Sequence, residues 1–155
     1  MDEAKRKEVR QWLIKSIHEL GSARRLMEGE KTYLDTAVYH CQQAAEKAIM
    51  AYLTYRDIIY EKIYNLIDLL ALCLPSEPSF SRWEETAEIL TPYATEFLYP
   101  GDVLEPEKSE VEQAFTEAGA FVNFVMQLLP DTETASLAGE LPLLNGKFRR
   151  GFLLQ

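Results

Sequence analysis

The amino-acid sequence predicts an all-α fold, an up-and-down bundle of about five helices. Apolar side chains recur in steps of three and four through most of the chain. No stretch alternates apolar and polar residues as a strand does, and no internal repeat or glycine- and proline-rich linker divides the chain. With 155 residues, 47% of them apolar, the chain is long enough for one core. We expect a helical bundle over residues 1–129 and a tail over residues 130–155.

The first two helices have the clearest patterns. The first is predicted over residues 4–27, where Gly29 closes it, and the second over residues 32–55, with Thr32 as its N-cap. Small side chains form a seam along the second helix, so a neighbouring helix can approach closely. We expect this seam to face helix one or helix five. The seam consists of Ala37, Cys41, Ala44, Ala48, Ala51 and Tyr55.

The remaining helices follow from apolar periodicity and from the prolines. A short third helix is predicted within residues 60–72, before Pro75. The fourth starts near Arg82, and Pro92 is expected to kink or end it because proline has no backbone N–H to donate. The fifth begins near Pro106 and Glu107, where acidic residues suit the positive end of the helix. We expect helices one, two, four and five to form the bundle.

The charge is unevenly distributed along the chain, whose net charge is -9. Residues 61–145 carry 16 acidic side chains against 3 basic ones, whereas residues 146–155 carry 3 basic side chains and no acidic one. A body this acidic repels a polyphosphate backbone, so we do not expect generic nucleic-acid binding outside the first two helices. We also expect no membrane span, because no run of about 18 apolar residues occurs. Cys41 and Cys73 lack metal or redox spacing, which fits buried thiols in a cytoplasmic protein.

A long first helix with a tryptophan is followed by YLDTAVYHCQQAAEKAIMAYL (33–53), IYNLIDLL (63–70) and YATEFLYP (93–100). Together these segments resemble the HEPN domain, the higher-eukaryote and prokaryote nucleotide-binding helical domain. HCQQAAEKA is the most specific block, and LYP is similar to the family's usual Arg-Tyr-Pro. The resemblance covers roughly residues 8–128. It implies a helical bundle that often dimerises and is often paired with a small nucleotidyltransferase in toxin–antitoxin modules.

Some members of that family cut RNA, and they are similar in carrying an arginine, four to six residues, and then a histidine. The arginine would hold the scissile phosphate and the imidazole would supply acid–base chemistry. His18 is preceded by Arg10 with seven residues between them, and His40 by Arg25 with fourteen. Neither spacing fits, and Leu98 stands where the family usually has the arginine before Tyr-Pro. We therefore expect a non-catalytic module that binds a nucleotide or a protein.

The candidate binding residues lie on the first two helices. His40, Gln43 and Lys47 have the spacing i, i+3, i+7 and share one face of helix two, where they could bind a base and a phosphate. Arg24 and Arg25, near the end of helix one, could hold a phosphate. The competing interpretation is structural, because buried polar groups on bundle helices usually make internal hydrogen bonds and cations suit a helix C-terminus.

Two other functions stay open at this point. The first is a metal-independent ribonuclease that uses His40 with a distant arginine such as Arg24, brought close by folding or by dimerisation. The second is a helical scaffold with no small ligand. No metal or cofactor is expected, since no histidine follows a glutamate by three residues as in di-iron bundles.

The C-terminal tail pairs a basic cluster with apolar side chains in KFRRGFLLQ (147–155). We expect Phe148, Arg149, Arg150 and Phe152 to cover an acidic groove, on the chain's own core or on a partner subunit. Aromatic helices and an apolar tail also predict a two-fold homodimer.

Overall fold

The computed structural model of the chain describes residues 1–130, 134 and 137–140. In this part of the chain there are five α-helices and no strand, so the predicted all-α fold is confirmed. The helices are α1 Glu3–Met27, α2 Leu34–Tyr55, α3 Leu66–Cys73, α4 Glu84–Leu90 and α5 Lys108–Leu128. Shorter 3-10 helices occupy Pro78–Trp83, Thr91–Ala94 and Ala138–Glu140.

Local signals in the sequence set both ends of α1. The Asp2 carboxylate accepts a 2.8 Å hydrogen bond from the Lys5 backbone N–H and caps the helix. At the other end Gly29 has a φ of 91°, a left-handed conformation that glycine adopts without strain, so it ends the helix as predicted. The start of α2 differs from the prediction. Its N-cap is Tyr33 rather than Thr32, and the Tyr33 N–H donates to the Leu26 carbonyl at 2.8 Å.

The small-residue seam of α2 lies inside the bundle. Every seam residue except Tyr55, which is half-buried, is fully buried. α2 packs against both α1 and α5, whereas the sequence predicted only that its seam faces one or the other. Small side chains in this position bring the helix backbones close together.

The fourth arm of the bundle is the segment 78–94, which runs antiparallel to α5. Along it the Phe80 ring lies 5.1 Å from the Phe124 ring, the Thr86 hydroxyl donates to Glu117 at 2.5 Å, and the Tyr93 hydroxyl donates to Glu110 at 2.6 Å. Residue numbers rise on one side as they fall on the other, as in antiparallel neighbours.

This arm differs from the predicted fourth helix. Only Glu84–Leu90 is α-helical, with a 3-10 helix on each side. Pro92 lies at the start of the second 3-10 helix, because its missing N–H prevents α4 from continuing past Leu90. The expectation that Pro92 ends the helix is therefore met.

The third helix is shorter than predicted and closes one end of the bundle. It starts at Leu66, because Asn65 and Asp68 form a capping box there. The Tyr52 hydroxyl, near the end of α2, lies 2.8 Å from the Ser76 hydroxyl just beyond α3. Since the Tyr52 and Phe124 rings both pack on the Phe80 ring, α2 and α5 end at the same end of the bundle and run parallel.

Beyond α5 the described part of the chain is small. Leu137 is 2% exposed and belongs to the core. The predicted interface residues Phe148, Arg149, Arg150 and Phe152 lie outside the described residues. Within residues 1–130, 134 and 137–140, no helix has the length and apolar character needed to cross a membrane.

Candidate functional site

A chain of polar side chains joins α1 to α2 on one side of the bundle. We call it the Glu19 network; it consists of Glu19 on α1 and of His40, Gln42, Gln43, Glu46 and Lys47 on α2. It contains all three residues that the sequence placed on one face of helix two. Its centre, Glu19, was not predicted.

Glu19 is bound by two nitrogen groups of α2. Its Oε1 accepts a 2.8 Å hydrogen bond from Lys47 Nζ, and its Oε2 contacts His40 Nδ1. The three side chains are 19% (Glu19), 25% (His40) and 22% (Lys47) exposed, so water only partly screens the contacts. One carboxylate therefore occupies the place between imidazole and ammonium where a bound anion would lie.

The glutamines extend the network along α2. Lys47 Nζ donates to Gln43 Oε1 at 3.1 Å, Gln43 Nε2 donates to Gln42 Oε1 at 2.7 Å, and Gln42 Nε2 donates to Glu46 Oε2 at 2.8 Å. The two amides thus link Lys47, through the Gln43 oxygen, to Glu46, through the Gln42 nitrogen. Gln42 is 2% exposed, and this bonding satisfies its otherwise costly buried amide.

The surroundings of Glu19 change its acidity. Burial would raise the pKa of its carboxyl, but the hydrogen bonds and charges of His40 and Lys47 outweigh burial and leave the pKa below its ordinary value of 4.5. Glu19 is therefore ionised at neutral pH. The carboxylate stabilises the ammonium of Lys47 and orients the imidazole of His40.

A buried hydroxyl fixes the register that brings these residues together. Ser16 lies one turn before Glu19 on α1, and its Oγ donates a 2.7 Å hydrogen bond to the Ala44 carbonyl. Because residues three and four apart share a helix face, this contact aligns Glu19 with the side of α2 that carries His40 and Lys47.

The predicted arginines are not part of the network. Arg24 Nε donates to Glu28 at 3.0 Å on its own helix, and Arg25 is exposed. Arg24 follows Glu19 by five residues, which turns its side chain roughly 140° further around α1. Folding of a single chain therefore does not bring His40 and Arg24 to one phosphate.

Glu19 and Gln42 were not predicted as members of the site. A helical pattern shows which residues share a face of one helix, but not which residue of the next helix lies opposite. The only signal in the sequence was that Ser16 and Glu19 are polar residues bordering the apolar stripe of helix one.

The position of Glu19 limits what the network can bind. An incoming phosphate would have to displace the Glu19 carboxylate, which already lies against both His40 and Lys47. In residues 1–130, 134 and 137–140 no three His, Cys, Asp or Glu side chains cluster in a way that could hold a metal ion.

Residues 9–129 match the model of one protein family, described as the HEPN domain. The match spans well over half of the chain and includes all five α-helices except the first turns of α1. No curated protein and no solved structure matches the chain.

Proposed function

This chain belongs to the HEPN domain family, and from that premise we propose that it is a non-catalytic binding module whose ligand is a protein. The partner class that the family suggests is a small nucleotidyltransferase, in a toxin–antitoxin type of pair. We further propose that the module works as a homodimer in the cytoplasm. Its acidic body, with 16 acidic against 3 basic side chains over residues 61–145, would attract a basic partner surface.

The observation that carries the proposal is the position of Glu19 between His40 and Lys47. These are the groups that a nucleotide or an RNA phosphate would need, and both already have an anionic partner inside the protein. Displacing that partner would leave one carboxylate beside the incoming negative charge. The network therefore supports a role in holding α1 against α2 for protein recognition.

An RNA-cleavage assay tests the non-catalytic part of the proposal. The wild-type chain, His40→Ala and Arg24→Ala are incubated with single-stranded RNA in the presence of EDTA. We expect no cleavage by any of the three. Cleavage by wild type that His40→Ala abolishes would overturn the proposal and support the metal-independent ribonuclease, and a loss in Arg24→Ala as well would point to an arginine from a second subunit.

Calorimetry with ATP, GTP and their monophosphates tests the choice between a protein and a nucleotide ligand. We expect no saturable heat with wild type, because the Glu19 carboxylate occupies the place between His40 and Lys47. Glu19→Gln removes the blocking charge and should show weak binding, while Glu19→Gln with Lys47→Ala should lose it. Saturable binding by wild type that Lys47→Ala weakens would make the nucleotide the ligand.

Co-purification tests the partner. The chain is co-expressed with a small nucleotidyltransferase, taken from a neighbouring gene where the genome has one, and the complex is measured by light scattering. A stable complex that weakens as salt is raised is the expected result, since opposite charges steer the two surfaces together. A chain that elutes alone, beside a folded nucleotidyltransferase, would contradict this partner class.

A further inference from the structure

The loop before α5 holds large apolar side chains in solvent. Leu98, Tyr99, Val103 and Leu104 are 45, 73, 63 and 66% exposed, although they lie within seven consecutive residues. We call these four side chains the 98–104 surface. Single exposed apolar residues are common, but a group of this kind marks a site of interaction.

Both ends of this loop are fixed to the bundle. The Phe97 ring stacks on the Tyr93 ring, with centroids 6.2 Å apart and planes at 22°, and the Tyr93 hydroxyl is bonded to Glu110 of α5. At the other end Pro106 is buried directly before α5. The 98–104 surface is therefore presented from two anchored points.

Acidic residues lie beside these apolar residues in the sequence, and we call them the acidic rim. Glu96, Asp102, Glu105 and Glu107 are all exposed, and none of them forms an ion pair with a described residue. Lys108 is the nearest cation along the chain. The rim and the apolar centre together favour an occupant that is both basic and apolar.

We propose that the C-terminal segment of the same chain, residues 147–155, covers the 98–104 surface. Its sequence KFRRGFLLQ carries three basic side chains, no acidic one, and four large apolar side chains. Phe148 and Phe152 would meet the apolar centre, and Arg149 and Arg150 would meet the acidic rim. The proposal goes beyond the proposed function, which names no particular surface within the acidic residues 61–145.

The length of the chain allows this contact within one molecule. After α5 the chain returns to the core at Leu137, and Glu140 is the last described residue. The twelve residues from Glu140 to Phe152 can span about 40 Å, whereas α5 is about 32 Å long. A tethered segment is present at an effective concentration of about a millimolar, which favours the chain's own segment over that of a second copy.

Hydrogen exchange measured by mass spectrometry on the full chain tests the contact. We expect Arg149→Glu with Arg150→Glu to speed exchange of the backbone amides of residues 98–105 by at least about threefold, because a lost contact permits local opening. Amides in the centre of α2 should not change. Adding Asp102→Lys and Glu105→Lys should restore protection, because the charges are then opposite again.

The matched control reverses Glu84 and Glu85, an exposed acidic pair on α4, in the same Arg149→Glu, Arg150→Glu background. It should restore nothing, since only net charge is altered. Equal restoration by both pairs, or unchanged exchange of residues 98–105 in the arginine variant, would overturn the proposal. Protection of residues 98–105 that increases with protein concentration would show that the segment comes from a second copy of the chain, which would overturn the proposal. Protection that is independent of concentration supports a contact within one molecule.

Discussion

The Ser16 hydroxyl donates a 2.7 Å hydrogen bond to the Ala44 carbonyl across the α1–α2 contact. This bond is fully buried, and it joins the two helices that carry the Glu19 network. A serine inside a helix costs about 0.5 kcal/mol relative to alanine, so its presence here needs a compensating contact.

Ser16→Ala should destabilise the protein in spite of that gain in helix propensity. Loss of the hydrogen bond costs roughly 0.5–1.5 kcal/mol. Ser22→Ala is the matched control. Ser22 is half-buried on the same helix, and its substitution changes the helix propensity by the same amount. We expect Ser16→Ala to unfold at lower urea concentration than Ser22→Ala, and equal midpoints would show that the bond contributes nothing.

Glu19→Gln should change how stability depends on pH. The pKa of Glu19 is lowered in the folded state, so the carboxylate contributes stability above its ordinary value of 4.5 and loses it as the pH falls through the folded value. At pH 7 we expect a loss of roughly 1–3 kcal/mol in Glu19→Gln, measured by urea unfolding. The difference between variant and wild type should shrink as the pH falls below 4.5.

Glu8→Gln is a suitable control for that measurement, because Glu8 is exposed on α1. A difference between wild type and Glu19→Gln that stays the same from pH 7 to acid would show that the charge of Glu19 is not what stabilises the fold.

Ala48→Leu should strongly destabilise the bundle. Ala48 is fully buried in the α2 seam, where helices approach closely and extra methylene groups force displacement costing roughly 1–3 kcal/mol. Ala71→Leu, at an exposed position of α3, makes the same substitution without overpacking. Thermal unfolding that affects both variants equally would contradict close packing at the seam.

Tyr93→Phe tests the bond between the 78–94 arm and α5. The Tyr93 hydroxyl donates to Glu110 at 2.6 Å, and a hydrogen bond to a charged group contributes about 1.5–3 kcal/mol. Tyr33→Phe serves as the control, because the Tyr33 side chain is 47% exposed. We expect Tyr93→Phe to lower the free energy of unfolding and Tyr33→Phe to leave it unchanged; the reverse order would exclude this contact as a stabilising one.

The two cysteines should react with a thiol reagent only after the protein opens. Burial raises the pKa of both thiols, to about 12 for Cys73 and further for Cys41. At pH 8 we expect no labelling of the native protein within minutes and two labels in denaturant, counted by mass spectrometry. Rapid labelling of Cys73 alone would show that α3 opens separately from the bundle.

The helices were predictable because their signals are local. Gly29 and Pro92 act on neighbouring backbone, and the stripes of α1, α2 and α5 follow directly from spacing. The 3-10 turns around α4 were missed, because the packing of this arm on α5 depends on contacts rather than on periodicity. The third helix was predicted to start too early, although the Asn65–Asp68 capping box that starts it is a local signal.

The site was only half predictable for the same reason. His40, Gln43 and Lys47 share a face by spacing alone, and the structure keeps them together. Glu19 lies 21 residues before His40, and only the register fixed by Ser16 brings it opposite. Arg24 was predicted to hold a phosphate because of its charge and its position near the end of α1. Its angular position on α1 instead turns its side chain toward Glu28.

The packing of α2 against α5, which comes much later in the chain, has a consequence for synthesis on the ribosome. The α1–α2 hairpin can form as soon as residue 55 has left the ribosome, but the helix that covers the other side of the α2 seam ends at Leu128. At a synthesis rate of about 5–20 residues per second, the seam stays uncovered on that side for roughly 4–15 s. Alanine exposes little apolar area per residue, so a seam of small side chains limits the aggregation risk of this nascent hairpin.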